Sequence, residues 1–154
     1  MPDDLLASFD FVIASLHSDV PLSTSEVTIR LIKAEQNPFT TMIGHPTGRM
    51  ILADEGHTVN LEAVIDACAR HNVALELNCH PSRMDLDWQH IRLAVSQGVK
   101  ISINPNAHSA AALADYETGV TVARKGLVSK ALAVNAQNLD EITSWLAQRR
   151  AQCC

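Results

Sequence analysis

Aromatic side chains are scarce in this chain, with two Trp, one Tyr and three Phe among 154 residues. Hydrophobic residues still make up 47% of it, so the interior must be filled by Ala, Val, Leu and Ile. That composition suits α/β proteins better than β-sandwiches. Positive charge is also in deficit. Twelve Lys and Arg stand against 17 Asp and Glu, and a net charge of −5 leaves no basic footprint for nucleic acid. No apolar run approaches the roughly 18–20 residues that cross a bilayer. The opening MPDDLLASFD lacks the basic-then-apolar form of a signal peptide. The four cysteines do not read as a disulfide framework: Cys68 lies on an apolar helical stripe, Cys79 follows a strand, and Cys153 and Cys154 are adjacent at the tail. A reducing cytoplasm, away from membranes, is the expected setting. Absent too are the Gly-x-x-x-x-Gly-Lys phosphate loop, the Gly-x-Gly-x-x-Gly fingerprint and the Gly-x-Ser-x-Gly elbow. Their absence argues against nucleotide kinases, classical dehydrogenases and serine hydrolases.

What is present is an alternation of short apolar runs with amphipathic stretches. Residues 11–14, 40–43, 73–77 and 99–103 read as strands. Ser23-x-x-Glu26 has capping-box spacing and opens a helix that should run to Gln36, before Asn37-Pro38. Leu61, Val64, Ile65 and Cys68 fall at i, i+3, i+4 and i+7, one face of a helix. Further helices are expected over 85–97, with Trp88, Ile91 and Val95 inward and Gly98 as the stop, and from a Ser109 cap through Arg124. Asn138-x-x-Glu141 caps a last helix carrying Ile142, Trp145 and Leu146, and residues 127–136 fit strand or helix equally. Successive strands are spaced as βα units are, which implies a parallel sheet with helices outside it. Four or five such units form either an open sheet or part of a (β/α) barrel, and periodicity does not choose between them. Residues 1–150 are expected to form one domain and 151–154 a disordered tail.

The polar residues are placed with a regularity that the strands do not explain. His17, His45, Asn78 with His80, and Asn106 with His108 each follow the carboxyl end of an expected strand. In barrels and open parallel sheets alike, that edge is the active one. Converging imidazoles suit a transition-metal site, so His17, His45 and His108 are candidate ligands, weighed against ordinary loop histidines. His57 is a loop residue, His71 sits at a helix end and His90 on a polar helix face. Cys79 is a soft donor or, more simply, a small buried residue. Arg49 and Arg83 are placed to fork onto a phosphate or to form surface ion pairs.

Taken in order, these segments resemble the polymerase-and-histidinol-phosphatase (PHP) domain of bacterial family X DNA polymerases. The resemblance is carried by Asp10 through His17, Gly44-His45-Pro46-Thr47-Gly48-Arg49, Leu75-Glu76-Leu77-Asn78 with Pro81-x-Arg83-x-Asp85-Leu86, and Ile103-Asn104-x-x-Ala107-His108. It continues through Gly119-Val120, Ala123 to Gly126 and Trp145-Leu146, and covers almost the whole chain.

It implies a partial, distorted (β/α)7 TIM-like barrel and a centre of two or three ions, Mn2+ or Zn2+, with Mg2+ or Fe2+ as further options. It also implies hydrolysis of a phosphate ester or of a DNA 3′ end in the 3′-5′ direction. By motif position His17, His45 and His108 match metal ligands. Arg49 and Arg83, with Asn78 and His80 beside them, fall on the substrate side. Asn106 stands where the family has Asp, which makes it a weak ligand. The family's early His-x-His, Asp-His and Glu motifs have no counterpart here. The chain is therefore expected to be the second half of the barrel, completed by an N-terminal polymerase or PHP half or by self-association. The alternatives are an inactive remnant and a histidinol-phosphatase-like hydrolase of small esters.

Overall fold

A computed structural model describes residues 1–17 and 22–151. Four strands, β1 (Val12–Ala14), β2 (Thr40–Ile43), β3 (Ala74–Asn78) and β4 (Ile101–Asn104), pair in the order β1-β2-β3-β4. All three pairings are parallel, with Leu75 opposite Ile101 and Asn78 opposite Asn104. A short α1 (Asp3–Ala7), not anticipated from the sequence, precedes the sheet. The crossovers are α2 (Thr24–Gln36), α3 (Leu61–His71) and α4 (Trp88–Ser96), and α5 (Tyr116–Lys125) and α6 (Leu139–Ala151) follow β4. Successive strands are neighbours without reversal, as they are along a barrel wall. Among the described residues the sheet stays open, with β1 and β4 at its edges. The expected tail begins at Ala151, which is the last residue of α6, and otherwise lies outside the described residues.

Local chemistry explains the helix limits. Ser23 accepts from the Glu26 amide while the Glu26 carboxylate takes the Ser23 N–H, so the capping box is complete. Asn60 caps α3 through the Ala63 amide, and Asn72 ends that helix in the left-handed region at φ 54. Asp87, not Asp85, starts α4 by accepting from the amides of Gln89 and His90. Asn138 and Glu141 bond each other's amides at the start of α6. The helix expected from Ser109 is instead a 3-10 segment, Ala111–Asp115, running into α5, although Ser109 does accept from the Ala112 amide. Residues 127–136 are neither full strand nor α-helix. Ala133 bridges Ile101 in parallel, Asn135 bonds both the N–H and the carbonyl of Ile103, and Val134–Ala136 is a 3-10 turn.

Alternation along the strands then sorts the core. Ile43, Leu75, Leu77 and Ile101 point to one face and pack with Val27, Leu31, Val64, Ile65, Cys68, Ile91 and Ala94 from α2, α3 and α4. The stripe of Leu61, Val64, Ile65 and Cys68 is buried as expected. Trp88 is only half-buried and lies under the Lys125 ammonium, 4.4 Å from its ring centroid. Gly119 lets α5 press against β3 and β4, because a Cβ there would fall inside the Cys79 side chain. The other face of the sheet carries Met42 and Ala74, covered in part by Trp145 of α6. No helix of the described residues is long and apolar enough to cross a membrane.

Candidate functional site

The expected site residues lie beyond the carboxyl ends of their strands, except Asn78, which is the last residue of β3, and the sheet brings the first two together. His17 follows β1 and His45 follows β2. Their rings meet edge to face, with centroids 5.0 Å apart and planes at 76°. His17 is exposed and His45 half-buried, with its Nδ1 buried and without a hydrogen-bond partner among the described residues. A buried, unpartnered ring nitrogen beside a second imidazole is the arrangement a cation would satisfy.

His108, past β4, is exposed. Its Nδ1 lies 2.7 Å from the carbonyl oxygen of Asn106 and must donate to it. That bond leaves the Nε2 lone pair outward, as in a ligating histidine. Asn106 holds this turn at φ 53. Among the described residues, no three His, Cys, Asp or Glu groups stand close enough to share a metal ion. The donors present therefore fit part of a metal site and not a complete one.

The central residue of the rim is one that motif spacing did not single out. Glu76, in the middle of β3, is buried on the open face of the sheet. Its Oε2 accepts from the His45 amide at 2.7 Å, and its Oε1 from Asn104 Nδ2 at 2.8 Å. Asn78 also turns its Nδ2 toward Glu76, at 3.5 Å, while its Oδ1 accepts from the His80 amide. The available signal was a carboxylate inside an otherwise apolar run, which is costly to bury unless it is paired.

The two arginines brace loops. Arg49 donates Nε to the Arg83 carbonyl at 2.9 Å and Nη2 to the Met84 carbonyl. Arg83 returns Nη1 to the Gly48 carbonyl at 3.1 Å. The loops after β2 and β3 are thus stitched in both directions, and Asp85, also buried, accepts from the amides of Thr47 and Gly48. Burial pushes the Asp85 carboxyl above its ordinary pKa, against the pull of the Thr47 and Gly48 hydrogen bonds and of Arg49. His80 accepts the Ser82 amide at Nδ1, which leaves its Nε2 as the donor. Burial and the neighbouring Glu76 charge push the Cys79 thiol up to about 12, so it is protonated at neutral pH and is a poor metal donor. His90 pairs with its cap residue Asp87 at 2.7 Å.

No protein-family model matches the chain. It is 40% identical over 144 residues to the DNA polymerase/3'-5' exonuclease PolX of Bacillus subtilis (strain 168), across 94% of this chain and 25% of that protein. It is 27% identical over 160 residues to a probable phosphatase of Thermoanaerobacter sp. (strain X514), across 97% of this chain and 62% of the relative. A probable phosphatase of Caldicellulosiruptor saccharolyticus is 32% identical over 116 residues, 70% of this chain and 46% of that one. The chain thus spans a quarter of the first relative and about half to three fifths of the others. It is a homologue of a polymerase-exonuclease and of probable phosphatases, built on a four-stranded parallel sheet.

Proposed function

We propose that this chain carries one imidazole-bearing face of a metal-dependent phosphoester hydrolase of the PHP type, acting on a DNA 3′ end or a small phosphate ester. The observation that carries the reading is the edge-to-face pair of His17 and His45 at the carboxyl edge of a parallel sheet. Similarity to an exonuclease-bearing polymerase and to probable phosphatases supports it. His17, His45 and His108 would hold divalent ions, with Zn2+ the better match to imidazole and Mn2+ the other ion that the PHP resemblance implies. Such ions, when bound, supply an activated water and charge on the phosphate oxygens.

The chain's own groups prepare that chemistry. The Asn106 carbonyl pins the His108 tautomer. Arg49 and Arg83, already engaged with carbonyls, bring positive potential to the rim more than a free fork. His80 offers Nε2–H to an incoming phosphate oxygen, and Asn78 stands behind it as a brace for the turn. Further donors would come from a partner polypeptide or a second copy. Support for such a partner lies in the exposed Phe11 and Ile13 of the β1 edge, which border a groove of ≈ 520 Å³ reaching Met42, Glu76 and Trp145.

The test is Mn2+-dependent release of label from a 3′-labelled oligonucleotide, alongside phosphate release from histidinol phosphate. His45→Ala should lower whichever rate is seen by at least ~100-fold. A wild-type rate that His45→Ala leaves unchanged would sink the reading. Asn106 favours a second one, a chain that keeps the fold and has lost hydrolysis, since an amide brings no anionic charge to a cation. No turnover by the wild type, with turnover gained in Asn106→Asp, would support it.

A further inference from the structure

We infer that Glu76 and Asp85 form a carboxylate clamp that aims the imidazole of His45, which makes both of them positioning residues. The catalytic part of this inference rests on the hydrolase reading above. The segment His45-Pro46-Thr47-Gly48 turns sharply, with His45 itself at φ 26 in the left-handed region. A turn of successive backbone N–H groups is the pattern that gathers anions. Pro46 has no N–H, and the remaining three donors all point at carboxylates of the protein. His45 N lies 2.7 Å from Glu76 Oε2, while Thr47 N and Gly48 N lie 3.1 and 2.8 Å from Asp85 Oδ2, and Gly48 N shares its proton with the His45 carbonyl at 3.0 Å.

Both acceptors are buried, at 7% and 1% exposure, so these charge-assisted bonds escape competition from water. Each acceptor is itself held. Asn104 fixes the other oxygen of Glu76, and Asp85 exchanges backbone hydrogen bonds with Asn78 at 2.6 and 3.1 Å. The loop amides are therefore satisfied from within and do not cradle a substrate phosphate. The direction of the imidazole is set instead by β3 and the loop that follows it. Leu52 and Glu55, at the exposed tip of the same loop, lie outside the clamp.

Amide hydrogen exchange read by NMR tests the clamp without reference to activity. In the wild type the amides of His45, Thr47 and Gly48 should exchange at least tenfold more slowly than those of Leu52 and Glu55. Glu76→Ala should release His45 alone by tenfold or more, and Asp85→Ala should release Thr47 by tenfold or more, with Gly48 released less because it also donates to the His45 carbonyl. The His45 ring resonances should shift in both variants. Unprotected amides in the wild type overturn the clamp, and this arm decides even where a variant fails to fold. Unchanged ring resonances in both folded variants overturn the aiming role. Where the wild type hydrolyses an ester, both variants should lose tenfold or more in kcat with KM within threefold, and unchanged kcat counts against the clamp. A wild type without turnover removes the hydrolase reading and leaves the exchange result standing.

Discussion

The two faces of the sheet are built from alternate residues of the same strands, yet they differ in kind. Ile43, Leu75, Leu77 and Ile101 meet α2, α3 and α4 in a closed aliphatic layer. Met42, Ala74, Glu76, Ser102 and Asn104 face the other way, where α6 covers only part of the surface. On the first face the strand side chains pack against aliphatic ones, and the consequence is stability. On the second a carboxylate and an amide sit among apolar groups, and they hold the loop that carries His45. Period-two alternation lets one strand do both jobs.

The sharpest way to break this contrast is truncation on each face. Leu75→Ala, on the closed face, should cost about 3–5 kcal/mol, because a packed layer cannot collapse into the void. Met42→Ala borders an existing groove and should cost about 2 kcal/mol or less. Urea denaturation of the two variants checks the order, and equal losses would erase the distinction.

A second probe is pH. Glu35 on α2 is fully buried, and burial lifts its pKa from 4.5 to about 8. The Cys68 thiol, Arg70 and Arg149 pull the other way without prevailing. A carboxyl with a raised folded pKa keeps a proton that the unfolded chain has already released. Stability should therefore fall as pH rises from about 4.5 to about 8 and then level off. We expect Tm to drop between pH 5 and 8 from this group, and Glu35→Gln to flatten the slope. An unchanged slope in that variant would assign the effect elsewhere.

The smallest effect should come at the edge. Ile13 is 44% exposed, so Ile13→Thr should alter the stability of the isolated chain by no more than about 0.5 kcal/mol. A larger loss, measured by the same denaturation, would mean that the open face is already covered in solution.

Much of the fold was legible because it rests on local rules. The capping box at Ser23, the Leu61 to Cys68 stripe and the parallel βα alternation each follow from neighbours in sequence. One departure has a competitor distant in sequence as its cause. Asp87 outbid Asp85 as the start of α4 because Asp85 is turned inward to the Thr47 and Gly48 amides. The break of the Ser109 helix into a 3-10 segment and α5 had no signal that periodicity reads.

The candidate site divides in the same way. That His17, His45 and Asn106 would follow successive strands, with Asn78 closing β3 instead of following it, was largely written in the spacing, since a chain of βα units must present its strand ends on one edge. Sequence alone also determined the aliphatic character of the core and the identity of the available imidazoles. Only the tertiary structure decided that His17 touches His45, that Arg49 and Arg83 brace each other's loops, and that Glu76 holds the His45 amide. Those are contacts between residues some thirty positions apart. No local propensity specifies them, because each is set by strand register and by which buried polar group must find its partner.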